Sequence, residues 1–412
     1  MKILFLSQFV PYPPHGGALQ RGYNIIREIA RYNSVHLLAF IHPDILKSDN
    51  EIEEAKKELC KFCNSVEFFH LWVKESRMNK YAGLLSGLFY SKPFSVLAHR
   101  SKRMDSRIDW LLKKEQFDLI HYDTIALSRF NRNNITIPKV MTHHNIESNL
   151  MRRRAQVEKN VLAKYYLSLQ AKRLQVYEEA ESGKYAVNIV MSEKDGEELK
   201  KINPHVNIEV VPNGVDTTYF TPDHGEETKS VIYTGGMNMF ANRDAVLYFL
   251  NEIWPAIKAK EPDVQFYAIG QDPPPELAQI SRRDPHVIVT GYVDDIRPFV
   301  SKAAVYVVPL RVGGGTRLKI LDAMAMGKAI VSTSIGCEGL EVSNGENILI
   351  SDNPTAFVEN TVELLKNMRK RGDLGAAARR LVESKYGWET IGRTLQQVYE
   401  KAVSGKPSLN TL

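Results

Sequence analysis

The sequence predicts an α/β chain made of two Rossmann-like domains, each a doubly wound parallel sheet, facing each other across a cleft. Three observations carry this. Short apolar runs rich in β-branched and aromatic residues alternate with helical patterns along most of the chain, as successive βαβ units do. Those runs are continuously apolar, the pattern of parallel strands buried on both faces. Both halves also open alike, with an apolar strand running into a glycine pair: Gly16-Gly17 after FLSQFVPYPPH, and Gly235-Gly236 after VIYT. In open α/β sheets ligands bind at the carboxyl ends of the strands, where these pairs fall. The 412 residues suit two or three domains at about 150 residues each.

Strands are expected in the first half at Ile3–Leu6, Val35–Phe40, Val66–Trp72, Asp118–Tyr122, Val140–Thr142 and Val187–Met191. In the second half they are expected at Val231–Thr234, Gln265–Ile269, Val287–Thr290, Val305–Pro309, Ile330–Ser332 and Ile348–Ile350. A charge-rich helical stretch, Met151–Lys184, and the turn residues Pro212, Asn213 and Gly214 separate the two series. We read Pro204–Pro222 as the linker, with domains at 1–204 and 205–387. The segment YGWETIGRTLQQVYEKAV repeats Trp388, Ile391, Leu395, Val398 and Tyr399 at helical spacing, and SGKPSLNTL reads as a frayed end.

Composition excludes several classes. With 43% hydrophobic and 25% charged residues the chain is neither disordered nor fibrous. A net charge of +6 favours anionic ligands or an anionic membrane face but is too small to mark a nucleic-acid binder. No stretch reaches the ~18 apolar residues a bilayer span needs, and MKILFLSQFVPYPP has too short an apolar run for a signal peptide. Three cysteines fit a reducing, cytoplasmic setting. Cys60 and Cys63 form a C-x-x-C with no second ligand pair at zinc spacing, so they read as two packing cysteines one helical turn apart.

Residues 305–333, VYVVPLRVGGGTRLKILDAMAMGKAIVST, are the most informative. A buried strand ends at Pro309, and Gly313, Gly314 and Gly315 leave amides unobstructed. A helix then starts near Thr316, with Leu318, Leu321 and Ala325 inward, and ends around Gly327. A glycine loop feeding a helix N-terminus is an anion site. Arg317 and Lys319 add cations, and Asp322 lies one turn beyond Lys319. That set suits a nucleoside diphosphate, with phosphates at the helix start and ribose hydroxyls on the carboxylate. A capped helix carrying an incidental Lys–Asp pair has the same sequence. In the first half, VMTHHNIES puts His143, His144 and Glu147 at a strand's carboxyl end, where they are site residues or simple surface and cap groups.

The segment LDAMAMGKAIVST resembles the donor-site motif of retaining glycosyltransferases of the GT-B fold, glycosyltransferase family 4. VVPNGVDTTYF, GYVDDIRPFVSKAAVYVVP, YGWETIGRTLQQVYE and MKILFLSQFVPYPPHGGALQR resemble further family segments in register, so the likeness spans nearly the whole chain. It implies that Asp322 is the ribose acid and that Val293 lies in the loop contacting the nucleobase. It also implies that His144 faces the donor sugar and phosphate, and that the helix at 388–403 packs back on the first domain. The GGGTRLKILDAMAMGK form resembles the exopolysaccharide-type branch. Two departures stand out: Gly314 replaces a sugar-contacting glutamate, and Gly236 and Ala241 stand where many members hold the diphosphate with Arg and Lys. Arg317 and Lys319 are the natural substitutes.

The expected activity is transfer of a sugar from a nucleoside-diphosphate sugar to a glycan or lipid-linked acceptor, with retention. Catalysis would use His144, Arg317 and Lys319; the donor would contact Gly16, Gly17, Gly235, Gly236, Val293, Gly313–Gly315, Thr316 and Asp322. No cofactor is expected, and no metal, since the chain has no Asp-x-Asp and only the adjacent pair Asp294-Asp295. Nucleic acid is not an expected partner. Alternatives are a nucleotide-sugar epimerase of the same fold and a non-catalytic protein binding polyanions or membrane. Lys92–Lys114 has seven Lys/Arg against two Asp, interleaved with Phe94, Val96, Leu97, Ile108, Trp110 and Leu111. With YAGLLSGLFY upstream and the cluster Arg152–Arg154, it reads either as solvated helix faces or as a contact with anionic lipid.

Overall fold

The computed structural model describes residues 1–405 apart from 15–16, 76, 159, 224 and 313–317. The chain divides into two compact units, Met1–Pro212 with Ile391–Leu412, and Asn213–Thr390. The division falls inside the segment Pro204–Pro222.

The first unit is built on strands β1 (Lys2–Ser7), β2 (Ser34–Ile41), β3 (Ser65–His70), β4 (Leu119–Tyr122), β5 (Lys139–His143), β6 (Val187–Val190) and β7 (Ile208–Val210). They form one sheet in the order β3-β2-β1-β4-β5-β6-β7, every pair parallel. β1 is buried from Ile3 to Ser7 because helices cover both faces. Six of the seven strands lie where the sequence places them. β7 was read as linker, and its composition explains why: it is an edge strand of three half-buried residues with Glu209 at its centre. The Glu209 carboxylate is paired with Lys401 at 3.1 Å, a charged edge of the kind that discourages further strand pairing.

The second unit holds β8 (Thr228–Thr234), β9 (Gln265–Ile269), β10 (Val287–Gly291), β11 (Ala303–Val308), β12 (Ile330–Ser332) and β13 (Leu349–Ile350), all expected from the sequence. Their order is β10-β9-β8-β11-β12-β13, again all parallel. β11 is buried along its whole length, and Phe249, Trp254, Phe266 and Phe357 stack beside it in the unit's core.

The helix Trp388–Ser404 is amphipathic as its spacing predicts, with Trp388, Ile391, Leu395, Val398 and Tyr399 all buried. From Ile391 onward it belongs to the first unit. Asn33 Nδ2 donates to Gln396 Oε1 at 2.7 Å, and Tyr399 Oη shares a 2.6 Å hydrogen bond with His121 Nδ1. Close approach depends on Gly392, where a Cβ would stand 2.5 Å from Glu28 Cβ. Residues 406–412, the expected frayed end, lie outside the described residues.

The cysteines divide. Cys63 is buried, and burial pushes its thiol up to about 12, so it packs and does not react. Cys60 is exposed, which corrects the expectation that both pack. All three cysteines are free.

Overpacking a close helix contact costs about 1–3 kcal/mol. Gly392→Ala should destabilise the protein by that amount in urea unfolding. Gly387→Ala, whose Cβ would meet nothing nearer than 3.9 Å, should not. Equal stability of the two variants would remove Gly392 from the docking of this helix.

Candidate functional site

Each sheet reverses its strand order once, and several of the expected residues, among them Gly235, Gly236 and Lys319, lie at or beside those places. In the first unit the reversal lies between β1 and β4. Ser7 ends β1 and Asp123 follows β4; Ser7 Oγ donates to Asp123 Oδ2 at 3.3 Å. The other carboxylate oxygen, Oδ1, lies 3.1 Å from Nε2 of His144, which stands just past the end of β5. Burial alone would raise the Asp123 carboxyl, but His144, His121 and Arg21 outweigh it and hold the group below its usual range.

Behind this pair the polar groups are neutral or tied down. His121 is buried between Tyr399 Oη and Thr142 Oγ1, the latter at 2.9 Å, and stacks on Phe5 at 4.3 Å. Burial holds its pKa at about 3, with Arg21 and His144 acting in the same sense. His143 points into the unit, its Nε2 3.0 Å from Asn188 Oδ1, and burial lowers it to about 4. It is a core histidine. Of the two adjacent histidines, His144 is the one with a carboxylate partner and partial exposure. Glu147 opens the helix Glu147–Val157, and burial raises its pKa. Arg21, buried and lowered by that burial to about 10, still carries its charge at neutral pH. It donates to the carbonyls of Pro212 at 2.6 Å and Val211 at 2.9 Å. Gly17 begins the helix Gly17–Ala30; Gly16 lies outside the described residues.

In the second unit the reversal lies between β8 and β11. β8 ends at Thr234, and Gly235 follows with φ +152°, a conformation that favours glycine. The helix Leu318–Ala325 brings two of the expected residues here. Lys319 Nζ donates to Tyr233 Oη at 3.0 Å and to Asn242 Oδ1 at 2.8 Å, and lies 4.3 Å from the Tyr233 ring centre. Asp322, three residues on, is half-buried as a residue, but its Oδ1 is shielded from solvent and has no hydrogen-bond partner among the described residues. Burial raises its pKa to about 7. An unpaired buried carboxylate is costly unless it keeps a proton or receives donors from elsewhere. Gly327, with φ +66°, closes the helix as expected.

Val293 is half-buried and packs on the core just beyond β10, beside the exposed Tyr292. Gly236 turns the chain between Gly235 and Met237, its carbonyl accepting from Asn242 Nδ2 at 2.8 Å. Gly313, Gly314, Gly315, Thr316 and Arg317 lie outside the described residues.

Sequence reasoning missed Asp123, Arg21, Tyr233 and Asn242. The one local cue for Asp123 was LIHYD, in which polar groups interrupt a buried strand.

Two open parallel sheets with polar side chains at the switch point of each fit the GT-B fold. The family follows from the sequence matches. Residues 66–219 match the model described as Glycosyltransferase Family 4, and residues 228–367 match Glycosyl transferases group 1. The chain belongs to these glycosyltransferases. It is 26% identical over 204 residues to the phosphatidyl-myo-inositol mannosyltransferase of Mycobacterium tuberculosis, covering 46% of this chain and 53% of that one. The chain thus spans about half the length of that curated relative. Among solved structures, sucrose-phosphate synthase from Thermosynechococcus elongatus superposes with a TM-score of 0.69 at 17% identity, covering 98% of this chain and all of that one. Anabaena Alr3699/HepE in complex with UDP gives 0.66 at 15% identity, covering 97% and 100%.

The Asp322 carboxyl at about 7, against 3.8 in the unfolded chain, makes the native state the tighter proton binder between those values. Stability therefore falls as pH rises from about 4 to 7. Asp322→Asn should match the wild type near pH 3.5 and exceed it at pH 8 by something on the order of 2–4 kcal/mol in urea unfolding. The same difference at both pH values would mean that burial does not perturb this carboxylate.

Proposed function

We propose that this protein transfers a sugar from a nucleoside-diphosphate sugar to a glycan or lipid-linked acceptor, with retention of configuration and without a divalent metal. The observation that carries the reading is the pair on helix Leu318–Ala325: a lysine delivered to a glycine turn, and one helical turn on, a buried carboxylate oxygen with no protein partner. Diphosphate oxygens would take the lysine and ribose hydroxyls would donate to Asp322. Likeness in fold to a protein solved with UDP, and in sequence to a mannosyltransferase, supports the donor class.

In the reaction the bond between the anomeric carbon and the β-phosphate oxygen breaks, and the acceptor oxygen bonds to that carbon. The acceptor proton leaves with the diphosphate. The departing group gains negative charge, which Lys319, and Arg317 by sequence, would neutralise. His144, oriented by Asp123, would act at the sugar and phosphate. Metal independence is supported by these cations, which would take the neutralising role a bound divalent ion has elsewhere.

Membrane contact is also part of the reading, and within the expected surface the apolar segment YAGLLSGLFY offers more exposed apolar side chains than the basic stretch after it. Val96, Ile108 and Leu111 of the Lys92–Lys114 stretch are buried, and Arg107 is paired with Glu67 while stacking on Trp110 at 4.2 Å. Trp110 is exposed in that stretch, and a larger group of exposed apolar side chains lies on helix Arg77–Phe89 and at the start of helix Val161–Ser182: Met78, Tyr81, Leu85, Phe89, Leu162 and Tyr165. The two helices are joined where Gln170 Nε2 donates to Gly87 O at 2.7 Å and Arg173 to Leu88 O at 2.8 Å. Among the described residues no helix is long and apolar enough to cross a membrane. We place the protein in the cytoplasm, on the evidence of its three free cysteines.

A calorimetric panel of nucleoside diphosphates and their sugars should find one donor, and Asp322→Asn should weaken it at least tenfold, since hydrogen bonds to a charged group are worth about 1.5–3 kcal/mol each. Turnover of that donor should persist in excess EDTA, and His144→Ala should lower kcat about 10²-fold. Activity abolished by chelation and restored by Mg²⁺ would overturn metal independence. A new epimer from donor alone would favour the epimerase.

For the membrane surface, sedimentation with vesicles containing anionic lipid should weaken when Tyr81 and Phe89 are both replaced by Ser, and should change little with Lys113→Ala and Lys114→Ala. Equal binding by the Tyr81/Phe89 variant would remove this surface from membrane contact.

A further inference from the structure

The sequence leaves the diphosphate without the two cations that many relatives place after the first strand of the second domain, where this chain has Gly236 and Ala241. The structure supplies one from a different element. Lys319 belongs to the helix after β11, yet its ammonium lies against the turn after β8, so close that a Cβ at Gly235 would stand 2.5 Å from Nζ. Two side chains from two other elements fix it there. Tyr233, fully buried on β8, accepts from Nζ at 3.0 Å and offers its ring face at 4.3 Å. Asn242, on helix Phe240–Tyr248, accepts from Nζ at 2.8 Å through Oδ1.

The two holders also bind each other and the turn. Tyr233 Oη donates to Asn242 Oδ1 at 2.9 Å, and Asn242 Nδ2 donates to Gly236 O at 2.8 Å. The amide orientation is thus fixed at both ends: its oxygen by a lysine and a phenol, its nitrogen by the turn itself. Asn242 cannot rotate without losing all three bonds. Tyr233 and Asn242 are neutral, so they orient the ammonium without cancelling its charge. A lysine is a flexible stem with a point charge, and fixing it in advance removes the ordering cost a bound phosphate would otherwise meet.

We propose that Tyr233 and Asn242 are positioning residues that hold the Lys319 ammonium over the Gly235–Gly236 turn, making that lysine the donor-diphosphate cation of this chain. The proposal rests on the donor site argued above. It separates these residues from ordinary core groups by one property: their effect on the diphosphate passes through Lys319.

The test is a double-mutant cycle read by calorimetry with UDP and GDP, using whichever the wild type binds. Tyr233→Phe and Asn242→Ala should each weaken the nucleoside diphosphate about tenfold, and Lys319→Ala at least as much. In the Lys319→Ala background either change should cost nothing further. Asn242→Asp keeps the shape of the holder but pairs the ammonium, and should lose as much affinity as Lys319→Ala. Losses that add, or wild-type affinity in Tyr233→Phe or Asn242→Asp, would overturn the proposal while leaving the donor site standing. A wild-type protein that binds neither diphosphate nor any nucleoside-diphosphate sugar would instead overturn the reading of the site itself, and this proposal with it. Tyr233→Phe removes a single oxygen, so it reports even if Asn242→Ala fails to fold.

Discussion

Every strand in both sheets runs parallel to its neighbours, and a parallel strand cannot be followed by a tight turn into the next. The chain must cross back over the sheet after each one, so the carboxyl ends collect on one edge and the connections leave from there. Within each sheet the order reverses once. In the first unit the chain goes outward from β1 through β2 to β3 and returns to lay β4 on the other side of β1. In the second it goes from β8 through β9 to β10 and returns with β11 beside β8. At a reversal the two departing connections go to opposite faces, leaving the strand ends between them uncovered. Ser7 and Asp123 stand at one such place, with His144 on the next strand; Gly235 and Lys319 meet at the other.

The two units treat a buried carboxylate in opposite ways. Asp123 is surrounded by compensation: a histidine on one oxygen, a serine hydroxyl on the other, and the Arg21 charge nearby. Its negative charge is built into the fold, while His121 and His143 stay neutral because they are buried, His121 even against the pull of Asp123. Asp322 has burial without compensation at Oδ1. A group in that state either keeps its proton or draws its donors from outside the polypeptide, so its charge becomes a property of what is bound. Such a carboxylate costs stability in the empty protein, which is what the donor role proposed for Asp322 requires.

The fold was legible because burial on both faces writes a continuous apolar run, which the central strands such as β1, β2 and β11 carry, and the edge strands β3 and β10 keep enough of it to be found. β7 carries none, being three residues long at an edge with a glutamate at its centre. The helix with Lys319 and Asp322 was legible for a different reason, as a motif of fixed local spacing. What could not be read were contacts made across the chain. Ser7 meets Asp123 over 116 residues and His121 meets Tyr399 over 278, and no periodicity connects such positions. The choice between His143 and His144 is likewise decided by a partner on another strand, Asn188 for one and Asp123 for the other. In the basic stretch Lys92–Lys114 the apolar residues that alternate with charge form the inner face of an amphipathic helix, which buries Met104, Ile108 and Leu111 and leaves Lys102, Arg103, Lys113 and Lys114 exposed.

The relocation of a cation from a loop to a helix has a physical consequence of its own. A lysine or arginine on a glycine-rich turn reaches a phosphate cheaply but must be ordered each time one binds. A lysine in the first turn of a helix has a fixed root, and here a fixed head as well, since Tyr233 and Asn242 take two of its three hydrogens. The geometry also limits what the turn can be. Gly235 has both a backbone conformation that suits glycine and no room for a Cβ beside Nζ, and Gly270 passes so close to the Gly235 carbonyl that it too must lack one. Substituting either glycine would therefore disturb the ammonium before it touched any ligand. The charge, the phenol, the amide and the two glycines form one packed unit, in which the position of the ammonium depends on each of the others.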